Sequence, residues 1–142
     1  MTYVLEIDRD PPDMMREEVR KGLREWNLRV VPTEKPRGDF AVYVRDPASE
    51  VVVGGLWAEY YYDWMFIEFL SVPEDGRGEG LGRRMVLEAE SFARELKLTG
   101  IWLDTFSWQA QGFYEKLGYS VFGQIEDFPE GQSRMFLKKR LD

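Results

Sequence analysis

The most informative residues are glycines. Arg77-Gly78-Glu79-Gly80-Leu81-Gly82 follows an apolar run that ends at Val72 and a Pro73-Glu74-Asp75 turn, and a helical pattern starts at about Leu81. Strand, glycine turn and helix start are the parts of an anion cradle. Unpaired backbone N–H groups and the positive end of a helix dipole converge on one point. Glycine lets the main chain approach a ligand where a Cβ would block it. The expected client is a pyrophosphate; the plainer alternative is a surface turn that only starts a helix. A P-loop would need Lys and Ser/Thr after its last glycine, but Arg83 and Arg84 stand there. The dinucleotide frame Gly-x-Gly-x-x-Gly fails from Gly78 and from Gly80. The chain has no His and no Cys. Imidazole chemistry, thiolate nucleophiles and Cys/His zinc sites are therefore excluded, and a general base must be a carboxylate, tyrosine, lysine or relayed water.

The six residues fit a third pattern, Arg/Gln-x-x-Gly-x-Gly/Ala, the coenzyme A pyrophosphate loop of the GNAT family of N-acetyltransferases. A second stretch, Ser107-Trp108-Gln109-Ala110-Gln111-Gly112-Phe113-Tyr114-Glu115-Lys116-Leu117-Gly118-Tyr119, resembles that family's other signature, Asn-x-x-Ala-x-x-Phe-Tyr-x-Lys-x-Gly-Phe. Ala110, Phe113, Tyr114, Lys116 and Gly118 match, Tyr119 replaces Phe, and Ser107 stands where the family has Asn. The chain thus resembles a small bacterial single-domain GNAT acetyltransferase over about residues 38–141. Within a similar subgroup a His is common where this chain has Gln132.

The resemblance implies acetyl-CoA as co-substrate, no metal, and transfer to an amine. Such a transfer sets three tasks. An alkyl ammonium, with a pKa of about 10, must lose a proton. The carbonyl oxygen needs N–H donors as it gains charge. The thiolate must leave. The resemblance puts Tyr114 beside the cofactor sulfur as general acid. It puts backbone N–H groups of Leu70, Ser71 and Val72 along the pantetheine arm, and Arg77 to Gly82, with Gly78, Glu79, Gly80 and Leu81, around the pyrophosphate. Arg83 or Arg84 would reach the adenosine end, and Ser107 would adjoin the cofactor. For the base, strict alternation would put Glu68 on one face with Leu70 and Val72, a line running toward the acetyl end. Glu59, Asp104 and water stay open as alternatives.

The elements that must hold these residues follow from periodicity. Tyr3 to Asp8 alternates like a short strand. Met15, Val19, Leu23 and Trp26 recur at helical spacing after Asp10-Pro11-Pro12-Asp13, predicting a helix packed on a sheet. Asn27 to Gly38 reads as loop. Strands are expected at 40–45, 51–60 and 64–72 as an antiparallel meander, with close backbone contact or a bulge at Gly54-Gly55. A helix over 80–97 is a crossover of suitable length to a parallel strand at 101–105. A short helix from Ser107 to Leu117 and strands at 119–124 and 133–139 complete the order. Ligands of such sheets bind at the carboxyl ends of parallel strands. The glycine turn and the Asp104-Thr105-Phe106-Ser107 segment should therefore be neighbours. Trp57, Tyr60, Tyr61, Tyr62 and Trp64 would cluster at a hairpin tip.

The chain's 142 residues, 44% hydrophobic, suffice for one core. The fold expected is α/β: a mixed, mostly antiparallel central sheet with helices on both faces, as one domain over 1–142. A net charge of −7 without a basic block argues against nucleic acid and anionic membrane as partners. The absence of an apolar leader or a span of about 20 residues suggests the cytoplasm. The expected partner is a small-molecule amine, and homodimers are usual among look-alikes. The competing class is a coenzyme A-binding regulatory or interaction module without turnover.

Overall fold

The computed structural model describes residues 2–142. It contains two compact units, one ending at Glu34 and the other spanning Lys35–Asp142.

The first unit is built on one helix, α1 (Met14–Val30). Glu17 pairs loosely with Arg20 and Arg24, at 3.9 and 3.8 Å; such exposed pairs add little. Met15, Val19, Leu23 and Trp26 are all exposed. Two expectations are corrected here. Tyr3 to Asp8 forms no strand, because an alternating pattern without a pairing partner leaves its backbone groups to water. The helix runs through Asn27 to Val30, closed by the Val31 N–H on the Asn27 carbonyl at 2.8 Å, where loop was expected. Nothing in Asn27-Leu28-Arg29-Val30 breaks a helix; the first Pro is Pro32.

The second unit is a six-stranded sheet of order β1-β2-β3-β4-β6-β5. The strands are β1 (Gly38–Arg45), β2 (Val52–Tyr61), β3 (Trp64–Ser71), β4 (Gly100–Phe106), β5 (Ser120–Glu126) and β6 (Ser133–Arg140). Every pairing is antiparallel except β3 with β4. That parallel pair needs a crossover, and α2 (Leu81–Glu95) supplies it. A short helix, α3 (Gln111–Lys116), links β4 to β5. Ser107 does not start this helix. Residues 107–109 form a turn, and Ala110 takes the N-cap position without a side-chain cap.

The core lies between α2 and one sheet face. Met85, Val86, Ala89 and Ala93 of α2 meet Leu56, Ala58, Met65, Ile67, Ile101, Leu103 and Leu137, all buried. Along β4 the buried residues Ile101, Leu103 and Thr105 alternate with the half-buried Trp102, Asp104 and Phe106. The second set marks the outer face, away from α2. Gly54 and Gly55 sit where main chains nearly touch. A Cβ at Gly54 would lie 2.5 Å from the Ser71 carbonyl oxygen, and one at Gly55 would strike that of Val42.

Among the described residues one acid is fully buried. Glu90 of α2, 1% exposed, accepts from the Tyr119 hydroxyl at 3.0 Å and from Lys139 Nζ at 2.9 Å. Lys139 also donates to the Leu117 carbonyl at 2.8 Å. The group ties α2, the end of α3 and β6 together. Burial, with Glu90 alongside, raises the Tyr119 hydroxyl well above the ordinary phenol range.

Candidate active site

The cleft begins with one extra residue. Trp57 pairs with Phe69, but its neighbour Ala58 pairs with Ile67. Glu68 has no partner on β2, so β3 carries a β-bulge there. The bulge shifts the alternation by one. Ile67 and Leu70 both turn to the core, while Glu68 and Phe69 are both exposed. Glu68 therefore does not share a face with Leu70 and Val72, as strict alternation had it. Pairing between β3 and β4 also ends at this level, with Ile67 opposite Leu103. Beyond it the two strands part.

A cleft of about 1210 Å³ opens at the divergence. Glu68, Phe69, Leu70, Ser71 and Val72 line one side, and Asp104, Thr105 and Phe106 the other. Arg77, Gly78, Gly80, Leu81, Gly82 and Arg83 form one end. Tyr114 lines it from α3. Of the residues singled out from sequence, Glu79, Ser107, Glu59 and Arg84 fall outside the lining.

The glycine turn has the geometry of an anion cradle. Gly78 and Gly80 have φ of 92° and 76°, left-handed values that side chains disfavour. A Cβ at either would meet nothing, so backbone conformation, not crowding, calls for glycine there. Gly82 is different: its Cβ would lie 3.2 Å from the Phe113 ring. Its lack of a side chain lets α2 start close against α3. The N–H groups of Leu81, Gly82 and Arg83 have no backbone carbonyl partner among the described residues. A pyrophosphate at this helix start would satisfy them. Glu79 is poorly suited to that task, since its N–H donates back to the Gly76 carbonyl at 3.4 Å.

Tyr114 is 6% exposed and packs edge-on between Phe113 and Tyr119, at 5.0 and 6.0 Å. Burial, and then the Asp104 carboxylate, push its phenol up to about 12. It holds its proton at neutral pH and can donate it in a hydrogen bond.

Asp104 and Arg134 form a bidentate pair, Nε to Oδ1 at 2.9 Å and Nη2 to Oδ2 at 2.7 Å. The hydrogen bond to Asp104 also raises the guanidinium above its usual range. Asp104 is thus occupied. Glu68 is the cleft-lining carboxylate without an ionic partner among the described residues.

Sequence reading missed Arg134 and Gln109. Gln109 Oε1 accepts the Phe106 N–H at 2.8 Å and the Thr105 hydroxyl at 3.3 Å, and so holds the turn that leaves β4. Ser107 does comparable work on the far side. Its hydroxyl donates to Gln132 Oε1 at 2.7 Å and accepts the Ser133 N–H at 3.0 Å. An antiparallel pairing of 101–105 with 133–139 was the available clue, since it sets Arg134 opposite Phe106 and beside Asp104.

Known proteins resemble this chain in sequence and in fold. The profile of the Acetyltransferase (GNAT) family matches residues 2–119. A blasticidin-S acetyltransferase of Streptomyces morookaense is 32% identical over 128 residues, covering 89% of this chain and 93% of that protein. An acetyltransferase of Agrobacterium fabrum is 31% identical over 107 residues, 75% of this chain and 77% of that protein. The crystal structure of a Bacillus cereus acetyltransferase superposes with a TM-score of 0.85 at 30% identity, covering 96% and 98% of the two chains. With the family profile over most of its length and relatives above 30% identity along most of both chains, this chain belongs to the GNAT acetyltransferase family.

Proposed function

We propose that this protein transfers the acetyl group of acetyl-CoA to a primary amine of a small molecule, by direct attack in a ternary complex. The observation that carries the reading is the parting of β3 and β4 at the Glu68 bulge, between the cradle and Tyr114. The residues present suit the co-substrate. The cradle offers donors for a pyrophosphate, with Arg83 beside it for a further phosphate. Leu70 to Val72 offer a strand edge that β4 no longer pairs. Bound there, acetyl-CoA would supply an activated acyl carbon and a thiolate leaving group.

The chain's own groups then divide the work. Glu68, exposed at the bulge and without an ionic partner among the described residues, takes the ammonium proton directly or through one water. The Tyr114 phenol, protonated at neutral pH, donates a hydrogen bond to the departing sulfur. Backbone N–H groups of the unpaired β3 edge face the charge that develops on the carbonyl oxygen. An acetyl-enzyme route is not proposed, because the chain has no Cys. The relative that acts on blasticidin-S supports an antibiotic-type amine as the acceptor class.

A thiol-release assay with a panel of amines tests the reading. Turnover is expected with at least one small-molecule amine and should collapse in the Glu68→Gln, Tyr114→Phe double variant. Coenzyme A binding without thiol release across the panel would instead favour a regulatory module.

A further inference from the structure

The two halves of the cleft differ in chemistry. The half toward α2 carries the cradle and Tyr114. The outer-face half carries Phe66, Glu68, Phe69, Asp104, Phe106 and Arg134. With the thioester in the first half, the amine must arrive through the second, so this inference rests on the function proposed above.

Arg134 is fixed there from two directions. Asp104 takes two of its N–H groups. Its guanidinium also lies 5.8, 5.2 and 5.4 Å from the ring centres of Phe106, Phe128 and Phe136. Its side chain is still 31% exposed and borders the cleft. A guanidinium has about five N–H donors. Those that Asp104 leaves have no partner among the described residues. A planar, immobilised donor loses little freedom when it binds an acceptor atom.

Charge decides which acceptor atom. Asp104 cancels Arg134, and Glu68 leaves the half negative overall. An ammonium is drawn in, whereas a carboxylate would meet the net negative charge left by Glu68. A neutral oxygen can take the free N–H groups without that repulsion. We propose that the acceptor is a cationic amine that also carries a neutral carbonyl oxygen, as an amino amide does, and that Arg134 selects for that oxygen. Phe66 and the exposed Phe69 wall the remainder of the molecule.

Calorimetry on the protein saturated with coenzyme A tests this with phenylalaninamide, phenylalanine and phenethylamine. The amide should bind about 10-fold more tightly than either of the others. In Arg134→Lys, which keeps the charge beside Asp104 but loses the planar fork, the amide and phenethylamine should bind within about twofold of each other. Phenethylamine itself should bind that variant as it binds the wild type. Equal affinities in the wild type, tightest binding of phenylalanine, no binding of any, or an equal loss for all three in the variant would each overturn the assignment. If the variant does not fold, the wild-type series decides alone. Thiol release is read in parallel. An amide that binds as expected but is not acetylated counts against acetyl transfer and leaves the Arg134 assignment standing.

Discussion

Tyr114 carries a prediction about pH as well as one about rate. Its phenol is raised from 10.0 to about 12. Below pH 10 it is protonated whether folded or unfolded, so its contribution to stability is complete there. Between about 10 and 12 the unfolded chain ionises first, and the native state loses ground by a few kcal/mol, on the order of 3. Tyr114→Phe should lose less stability than the wild type across that interval in alkaline denaturation, and an identical curve would refute the buried-phenol account. The same substitution should lower kcat by about 10²-fold with a small change in KM if the hydroxyl meets the leaving sulfur. Glu68 should show the opposite signature: Glu68→Gln depresses the rate most where the base must be ionised, flattening the acidic limb of the pH–rate profile. A limb unchanged in shape would move the base to a water.

Elements rather than single side chains build the cradle. Gly80 stands at φ 76°, immediately before α2. Gly80→Ala imposes that angle on a residue with a Cβ, at roughly 1–2 kcal/mol, and should raise KM for acetyl-CoA while leaving the core intact. Gly82→Val brings new atoms against Phe113 and should disturb α2 and α3 together, visible as a lower melting temperature as well as weaker cofactor binding. A Gly80→Ala variant with unaltered acetyl-CoA affinity would mean that the cradle is not the pyrophosphate site. The cradle was legible in the sequence because everything it needs lies within six consecutive residues and φ > 0 writes itself as glycine. The bulge was not. Phe66-Ile67-Glu68-Phe69-Leu70 accepts either phase of alternation, and only the partner strand, where Trp57 and Ala58 straddle the extra residue, decides between them. That one-residue shift reversed the face expected for Glu68. The Asp104–Arg134 pair was hidden for a related reason. Its members lie 30 positions apart, and the register joining them belongs to the fold, not to either segment. The short helix at Gln111 began later than its motif suggested because Gln109 and Ser107 spend their side chains on the preceding turn.

At the scale of the whole second unit, the buried Glu90 is the point where chain-distant parts meet. Removing one partner of a buried charge pair costs about 3–5 kcal/mol when the other is left uncompensated, and without Lys139 the Glu90 carboxylate keeps only the exposed Arg94, at 3.8 Å. Lys139→Met should therefore lower the denaturant midpoint sharply. Glu90→Leu with Lys139→Met should recover part of that loss, since no lone charge remains inside. A double variant as unstable as the single would show that the network acts through its hydrogen bonds to Tyr119 and Leu117 rather than through charge. The order of elements along the chain, the β1-β2-β3 meander, the parallel β3·β4 pair and its α2 crossover followed from periodicity and connection length, which are properties of long segments; the place of β6 between β4 and β5 did not. The N-terminal segment did not follow, because Tyr3 to Asp8 has the right alternation but no ladder to join.

The parting of β3 and β4 has one more consequence. The slot is lined from both faces of the sheet, by Leu70, Val72 and Tyr114 on one and by Glu68, Phe69 and Arg134 on the other. Two molecules that enter from opposite sides do not queue behind each other. On the function proposed above, release of spent coenzyme A need not wait for the acetylated amine to leave, nor the reverse. Product inhibition should then be split: free coenzyme A competes with acetyl-CoA but not with the amine, and the acetylated product competes with the amine alone.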